Sequence, residues 1–209
     1  MSDHIAELLQ TYRQKGILVD TNILLLFLVG ATNRNRISRF KRTVQFTPQD
    51  YDLLVKLLAF FSQVITTPYI LTEVNSLLNQ LEEPDRGLCL KTLGVYVNQV
   101  EEDYVHSKQI VQQEKFTTFG LTDCGMLEIA KGKYLILTDD LRLADYLGRS
   151  GVDTVNFNHL RVYGWSNNFD RKLTCLSVGS SIYTTGIVEV HRFFDPIPQT
   201  GFDRPRSQF

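Results

Sequence analysis

The chain has 209 residues, of which 43% are hydrophobic, and its formal net charge at pH 7 is -1. This length and composition exclude a chain that is disordered throughout, and they suffice for one domain with additions. The balanced charge excludes a protein that holds nucleic acid by overall positive charge, although local basic patches can still contact phosphates.

The cysteines and the apolar runs bear on the cellular compartment. Cys89, Cys124 and Cys175 are widely separated and show no Cys-x-x-Cys spacing, which favours buried or free thiols over a disulfide framework or a zinc site. Residues 2–15 form a polar amphipathic stretch without the apolar core of a secretory signal. The longest apolar run, residues 23–29, is too short to cross a bilayer. We therefore expect a cytoplasmic protein without a membrane span.

The first predicted strand ends in a carboxylate. Residues 17–20 read Ile-Leu-Val-Asp, an apolar run typical of a buried parallel strand. A buried helix is predicted from residue 22 to residue 29 and ends near Gly30. Asp20 thus lies where a strand passes into a helix.

The next segment, residues 30–47, carries the one dense concentration of positive charge in the chain. Arginine binds phosphate through two parallel hydrogen bonds, and Phe40 could stack on an unpaired base, so the segment is a candidate RNA-contacting insertion. The alternative is a solvated loop with ordinary charges. The basic residues are Arg34, Arg36, Arg39, Lys41 and Arg42.

Capping residues mark the next helices. Thr47 with Pro48 predicts a helix start, residues 64–66 read as a second strand, and Pro68 begins a helix that carries Glu73 about one turn in. A side chain at that depth can reach back toward the edge of a sheet. Two further helices are predicted over residues 85–97 and 108–116, joined by an acidic segment at residues 101–103.

Two more acidic positions follow in the same kind of setting. Thr122 is predicted to cap a helix that carries Asp123. Residues 134–138 form an apolar strand that ends in Asp139 and Asp140 and is followed by a helical pattern. The acid at the end of this strand repeats the arrangement at Asp20.

The alternation of strands and helices predicts an α/β domain with a central, mainly parallel sheet. Residues 152–157 supply the last predicted strand, so the domain extends over residues 1–163. Residues 164–209 differ in their sequence pattern, with β-like runs at 173–178 and 187–191. We interpret them as a C-terminal extension and assign it no role.

Ligand sites of open parallel sheets gather outside the carboxyl ends of the strands, so these separated acids are expected to meet in one crevice. The alternative for any single one of them is a turn or capping residue. Crowded carboxylates repel one another, and a cluster is hard to explain unless a positive group occupies it.

At these residues the chain resembles the PIN-domain family, metal-dependent ribonucleases with three or four acidic residues around one or two divalent cations. The resemblance covers roughly residues 15–160 and implies a three-layer α/β/α fold. It rests on Val19-Asp20-Thr21-Asn22, Thr72-Glu73-Val74, Thr122-Asp123 and Thr138-Asp139-Asp140.

The resemblance implies a site for Mg²⁺ or Mn²⁺. Asp20 and Asp123 would be the main ligands, Asp140 a direct or water-mediated ligand, and Glu73 an outer ligand or water-positioning residue. The family pattern selects Asp140 over Asp139, although either could point inward. Asn22 and Thr138 would hold carboxylates in place through hydrogen bonds; the alternative for both is helix capping. Oxygen donors suit these hard cations, which activate water and neutralise phosphate charge.

The expected activity is hydrolysis of RNA. The alternative within the same fold is a catalytically inactive RNA-binding or scaffold protein. A phosphatase of the haloacid-dehalogenase type also begins with Asp after a first strand, but it needs a second Asp two residues on, where this chain has Asn22. Many members of the family are toxins, so an antitoxin or inhibitor protein is a candidate partner, as is a second copy in a homodimer.

Overall fold

Five short parallel strands form one sheet in the computed structural model, which describes residues 2–162. The predictions for residues 164–209, including Cys175, lie outside the described residues. The strand order is β3-β2-β1-β4-β5, and every neighbouring pair is parallel. The strands are β1 (Ile17–Val19), β2 (Val64–Thr66), β3 (Glu101–Glu102), β4 (Leu135–Thr138) and β5 (Thr154–Asn156).

Helices flank this sheet, which confirms the predicted α/β fold. Helix α2 packs against α3, α4 and α5, while α7 packs against α8 and both contact β4. The helices are α1 (Ser2–Tyr12), α2 (Thr21–Thr32), α3 (Pro48–Phe60), α4 (Pro68–Leu78), α5 (Asp85–Val97), α6 (Ser107–Ile110), α7 (Phe116–Ala130), α8 (Leu141–Arg149) and α9 (Phe157–Val162). Within residues 2–162 no helix is long and apolar enough to span a membrane.

The order of the strands creates a switch point between β1 and β4. The chain leads from β1 to β2 on one side of the sheet and from β4 to β5 on the other, yet β1 and β4 are direct neighbours, with Leu18 opposite Ile136. A crevice opens outside the carboxyl ends of two such strands, and it is the usual ligand site of doubly wound sheets. Asp20 follows β1, and Asp139 follows β4.

Helix α2 is the most deeply buried element. Nine of its residues, from Thr21 to Gly30, are buried, as expected of a helix that is apolar on all sides. The helix ends at Thr32, two residues after the predicted end near Gly30. A Cβ built on Gly30 would lie 2.2 Å from the Tyr51 ring, so this glycine permits close packing of α2 on α3 rather than ending the helix.

The predicted helix starts at Thr47 and Pro68 are confirmed. The Thr47 side chain accepts a hydrogen bond from the Asp50 backbone N–H, and the Asp50 carboxylate accepts one from the Thr47 backbone N–H, which forms a capping box. Pro68 is the first residue of α4, where Thr67 is the cap. The described cysteines, Cys89 and Cys124, are buried and free, as expected.

Two local predictions differ from the structure. The acidic segment at residues 101–103, predicted as a joint between helices, contains β3, an edge strand whose two residues are exposed. Neither residue is apolar, so no hydrophobic pattern marks this strand. The helix predicted over residues 108–116 is replaced by the single turn of α6, followed by turns up to Phe116.

Helix α7 is broken at Gly120. This residue has φ 77° and ψ -167°, a region that only glycine occupies readily, and Asp123 lies three residues after the break. The helical segment that carries Asp123 therefore begins after Gly120 rather than at the predicted cap Thr122. The break sets the direction of the second helical segment relative to the first, and hence the position of Asp123.

We predict that Gly120→Ala destabilises the protein by about 1–3 kcal/mol, because alanine cannot adopt this backbone conformation without strain. No heavy atom of another element lies within 4 Å of the built Cβ, so steric overlap would not contribute. The control is Gly94→Ala in α5, where φ is not positive and the added Cβ also meets nothing. It should be stabilising by about 0.5–1 kcal/mol. Denaturant unfolding measures both, and equal effects would contradict the prediction.

Candidate functional site

The Asp20 carboxylate is buried at the carboxyl end of β1, with only 5% of the residue exposed. Its backbone N–H donates to the Leu137 carbonyl at 2.9 Å, which extends the pairing of β1 with β4. Asp20 occupies the N-cap position of α2, but its side chain makes no capping hydrogen bond. The Thr138 hydroxyl instead donates to Asp20 Oδ2 at 2.6 Å. Helix capping therefore does not account for this carboxylate.

Both predicted carboxylate-holding residues contact acids. Thr138 Oγ1 donates to Asp20 and also accepts a hydrogen bond from the Asp140 backbone N–H at 3.0 Å, so it joins the ends of β1 and β4. Asn22 Nδ2 donates to Asp139 Oδ1 at 3.2 Å. These contacts fix the directions of two carboxylates. Their part in holding a metal ion stays a prediction.

The two consecutive aspartates after β4 have different surroundings. Asp140 Oδ1 accepts hydrogen bonds from the backbone N–H groups of Arg142 at 2.7 Å and Leu143 at 3.1 Å, so Asp140 caps α8. Asp139 is half-buried and turns toward Asn22 at the start of α2. Capping occupies one Asp140 oxygen and leaves the other available to a ligand. The preference for Asp140 over Asp139 as a ligand stays a prediction.

Asp123 and Glu73 complete the group of acids. Asp123 is half-buried, and among residues 2–162 no side chain or backbone group donates a hydrogen bond to its carboxylate. Glu73 is exposed, and its Oε2 accepts a hydrogen bond from the Thr21 hydroxyl at 3.1 Å. Since Thr21 is the chain neighbour of Asp20, this bond places Glu73 beside the buried carboxylate.

Burial raises the pKa of Asp20 to about 7, well above the usual value for an aspartate. The Thr138 hydroxyl opposes this shift because it stabilises the charged form, whereas the negative charges of Asp139 and Glu73 add to it. A carboxylate with this pKa is only partly ionised at neutral pH. A positive group at the site would favour its charged form.

The pKa of Asp123 is also raised to about 7, mainly by burial and then by the charges of Asp20, Glu73 and Asp140. Three of the predicted acids therefore act on the Asp123 carboxylate. No lysine or arginine is among the groups that shift either pKa. The structure thus brings the sequence-predicted acids together as one electrostatic group at the switch point.

The donor chemistry of this group suits a hard divalent cation, because every candidate ligand is an oxygen. In the described part of the chain, no three acidic, histidine or cysteine side chains are arranged closely enough to hold an ion as they stand. Asp123 has no hydrogen bond to lose within that part, and Glu73 would lose only the bond from Thr21 if it turned toward an ion. The chemistry of the donors therefore suits Mg²⁺ or Mn²⁺, while binding of either ion stays a prediction.

Two amides that the sequence analysis did not single out also contact Asp139. Gln45 Nε2 lies 3.5 Å from Asp139 Oδ2, and Asn158 Nδ2 donates to the Asp139 carbonyl at 2.9 Å. Arg161 holds this arrangement, since its guanidinium donates to the Gln45 carbonyl at 2.7 Å and pairs with Asp50 at 2.9 Å. Single polar residues of this kind carry no sequence motif, and only the fold reveals them.

The basic segment is an ordered part of the domain that packs against α3 and α5. Arg34 forms an ion pair with Asp52 of α3 at 2.8 Å, and Arg36 forms one with Asp85 of α5 at 3.2 Å. The proposed stacking role of Phe40 is wrong, because only 4% of this residue is exposed and its ring belongs to the core.

The remaining basic residues of the segment point outward. Arg42 donates to Gln80 Oε1 at 3.2 Å. Arg39 and Lys41 are exposed and form no ion pair with another described side chain. These two cations are therefore the members of the segment that are best placed to contact a phosphate. An RNA-binding role for the segment stays a prediction.

The chain matches no protein-family model, and comparison with curated proteins and with solved structures finds no match. Any functional assignment must therefore be argued from the residues and their geometry.

We predict that the free energy of unfolding of the metal-free protein falls as pH rises from about 4 to about 7. Asp20 and Asp123 have folded-state pKa values near 7, above the ordinary value of 3.8, so the folded state binds more protons in this window. Asp20→Asn should reduce this fall and exceed wild type by roughly 2–4 kcal/mol at pH 8. Urea unfolding in EDTA across this range measures it.

The matched control is Asp145→Asn. Asp145 is an exposed residue on α8 that pairs with Arg149, so the variant should follow the pH dependence of wild type. If the free energy of unfolding of Asp20→Asn depended on pH as strongly as that of wild type, burial would not destabilise the charged Asp20 carboxylate.

Proposed function

We propose that the protein is a divalent-metal-dependent ribonuclease that resembles the PIN-domain family. The observation that carries this proposal is the buried Asp20 carboxylate, which faces other acids at the sheet switch point without a cationic partner. A structural role does not explain it, because the Asp20 side chain makes no capping hydrogen bond to α2 and forms no ion pair with a described residue. A cation bound between Asp20 and Asp123 would offset the cost of burying both charges.

The parts of the site have distinct tasks in this proposal. Bound Mg²⁺ or Mn²⁺ would make a water nucleophilic near neutral pH and neutralise charge on the phosphodiester. Asp20 and Asp123 would hold the cation, and the Thr138 hydroxyl fixes the direction of Asp20. The exposed Glu73 carboxylate accepts a hydrogen bond from Thr21 through one oxygen, and its other oxygen would position water.

The experiment is cleavage of a mixed-sequence RNA with Mg²⁺ or Mn²⁺. Asp20→Asn keeps the size of the side chain and one acceptor oxygen, but it removes the charge and replaces the second oxygen by an NH₂ donor. We expect it to lower the cleavage rate by on the order of 100-fold or more, because several kcal/mol of transition-state stabilisation depend on the cation. Asp145→Asn changes an exposed residue of α8, is the matched control and should cleave at the wild-type rate.

Each outcome of the cleavage experiment distinguishes the proposed nuclease from its alternative. Absence of cleavage by wild type with either metal, or full activity of Asp20→Asn, would refute the proposal. Binding of metal and RNA without cleavage would favour the alternative, a catalytically inactive PIN-like protein. An antitoxin or inhibitor protein and a homodimer stay predictions from the resemblance.

We predict that Arg39→Ala and Lys41→Ala each weaken binding of RNA and flatten its dependence on salt. Every phosphate contact that is lost should reduce the slope of log affinity against log salt by about 1. The control is Lys131→Ala, an exposed lysine after α7 that precedes β4 and so lies away from the carboxyl edge. Anisotropy titrations of a labelled RNA in EDTA measure all three, and slopes equal to that of the control would reduce the segment to a solvated surface.

A further inference from the structure

A tyrosine with an exposed ring follows the edge strand of the sheet. Tyr104 lies two residues after β3, and 55% of it is exposed, although large aromatic side chains are usually buried. Its ring stacks on that of Tyr69, with the centroids 6.4 Å apart and an angle of 19° between the planes. The His106 ring contacts Tyr104 edge-on at 5.2 Å. These three rings are the aromatic platform.

Hydrogen bonds fix the platform before any ligand arrives. The Tyr69 hydroxyl donates to the Val105 carbonyl at 2.8 Å and lies 2.9 Å from the Ser107 hydroxyl. The Tyr104 hydroxyl lies 3.4 Å from Nδ1 of His106. The loop after β3 is therefore tied to the start of α4. An exposed ring that is held in this way loses little conformational entropy when a flat group stacks on it.

The platform lies beside the acidic group on the same edge of the sheet. Tyr69 and Tyr104 follow the carboxyl ends of β2 and β3, and β2 is next to β1 and Asp20. Glu73 is one helical turn after Tyr69 on α4. A Cβ built on Gly125 would lie 3.4 Å from the Tyr69 ring, so this ring packs on α7 two residues from Asp123.

We propose that the platform binds an unpaired base of single-stranded RNA, with Tyr104 as the stacking residue. This inference rests on the proposed function, since it places the base next to the acidic group on the substrate strand. Stacking of bases on aromatic side chains is a general means of holding single strands, and it requires a base that is not already paired. The exposed Tyr104 ring extends the stack that Tyr69 begins, so a base that stacks on it would continue the same column of rings.

Charge near the platform favours stacking over phosphate contacts. Glu101 and Glu102 are exposed on β3, so the neighbourhood repels phosphates. The charge of Asp103 is compensated within the protein, since the Lys133 ammonium lies 3.8 Å and the Tyr134 hydroxyl 3.5 Å from its carboxylate. Loss of the Tyr104 ring should therefore lower the affinity without changing the salt dependence of binding, unlike loss of a basic residue.

The test is anisotropy of a labelled single-stranded RNA 12-mer in EDTA, where metal-dependent cleavage cannot occur. We expect Tyr104→Ala to weaken binding roughly 5-fold to 150-fold, the range for loss of one stacked base. Tyr104→Phe keeps the ring and should bind like wild type. Val111→Ala, another exposed apolar residue near α6, is the control and should also bind like wild type. A duplex of the same sequence should bind no better to wild type than to Tyr104→Ala.

The outcomes separate this inference from the proposed function. Equal binding by Tyr104→Ala and wild type, or equal losses in the Ala and Phe variants, would overturn the platform while metal-dependent cleavage stands. Failure of wild type to bind the 12-mer would also overturn it. Binding that depends on the Tyr104 ring in a protein that cleaves no RNA would keep the platform and refute the nuclease. Thermal melting of each variant shows that the fold is retained.

Discussion

Burial of the Asp20 carboxylate is the constraint on which the arrangement of the site depends. A charged carboxylate in the interior is unfavourable unless a partner compensates for the lost hydration. Within the described residues the groups that stabilise its charge are the Thr138 hydroxyl and the Thr21 backbone N–H, and the charged neighbours are acids. The raised pKa of Asp20 is the result. The fold thus tolerates a group that would be more stable on the surface, and this is typical of residues kept for binding or catalysis.

The scaffold keeps this carboxylate in place through rigid elements on every side. β1 is the central strand of the sheet, and α2, which begins at Thr21, is buried over most of its length. Gly30 lets α2 approach α3 closely, and Gly120 breaks α7 three residues before Asp123, whose carboxylate is near enough to Asp20 for their charges to interact. Gly30 thus acts through close packing and Gly120 through its backbone conformation, and both set the positions of helices at the site.

The sequence is informative where burial leaves a pattern. The strands that precede Asp20 and Asp139 are apolar runs ending in acids, and the helix starts at Thr47 and Pro68 depend on local chemistry, so all were predictable. β3 has two exposed glutamates and no apolar pattern, so its pairing depends on the neighbouring strand β2. The stacking role of Phe40 was wrong because a basic neighbourhood does not reveal that a ring is buried in the core.

Contacts between distant segments lie beyond the reach of such patterns. The bonds from Gln45 and Asn158 to Asp139 join residues separated by 94 and 19 positions, and no local rule selects those amides from other polar residues. The Tyr69–Tyr104 stack likewise depends on the start of α4 and the loop after β3 meeting at one edge of the sheet. Predicting these requires the strand order, which the sequence alone did not supply.

The two aspartates after β4 illustrate how one local interaction determines another. The Asp140 side chain caps α8, and the Asp140 backbone N–H donates to the Thr138 hydroxyl. Together these bonds fix the backbone at the end of β4. With this backbone fixed, the Asp139 side chain reaches Asn22 at the start of α2. The bonds that cap α8 therefore also set the orientation of the Asp139 carboxylate. An acid that caps a helix is not thereby excluded from a site, since its bonds can orient the acid beside it.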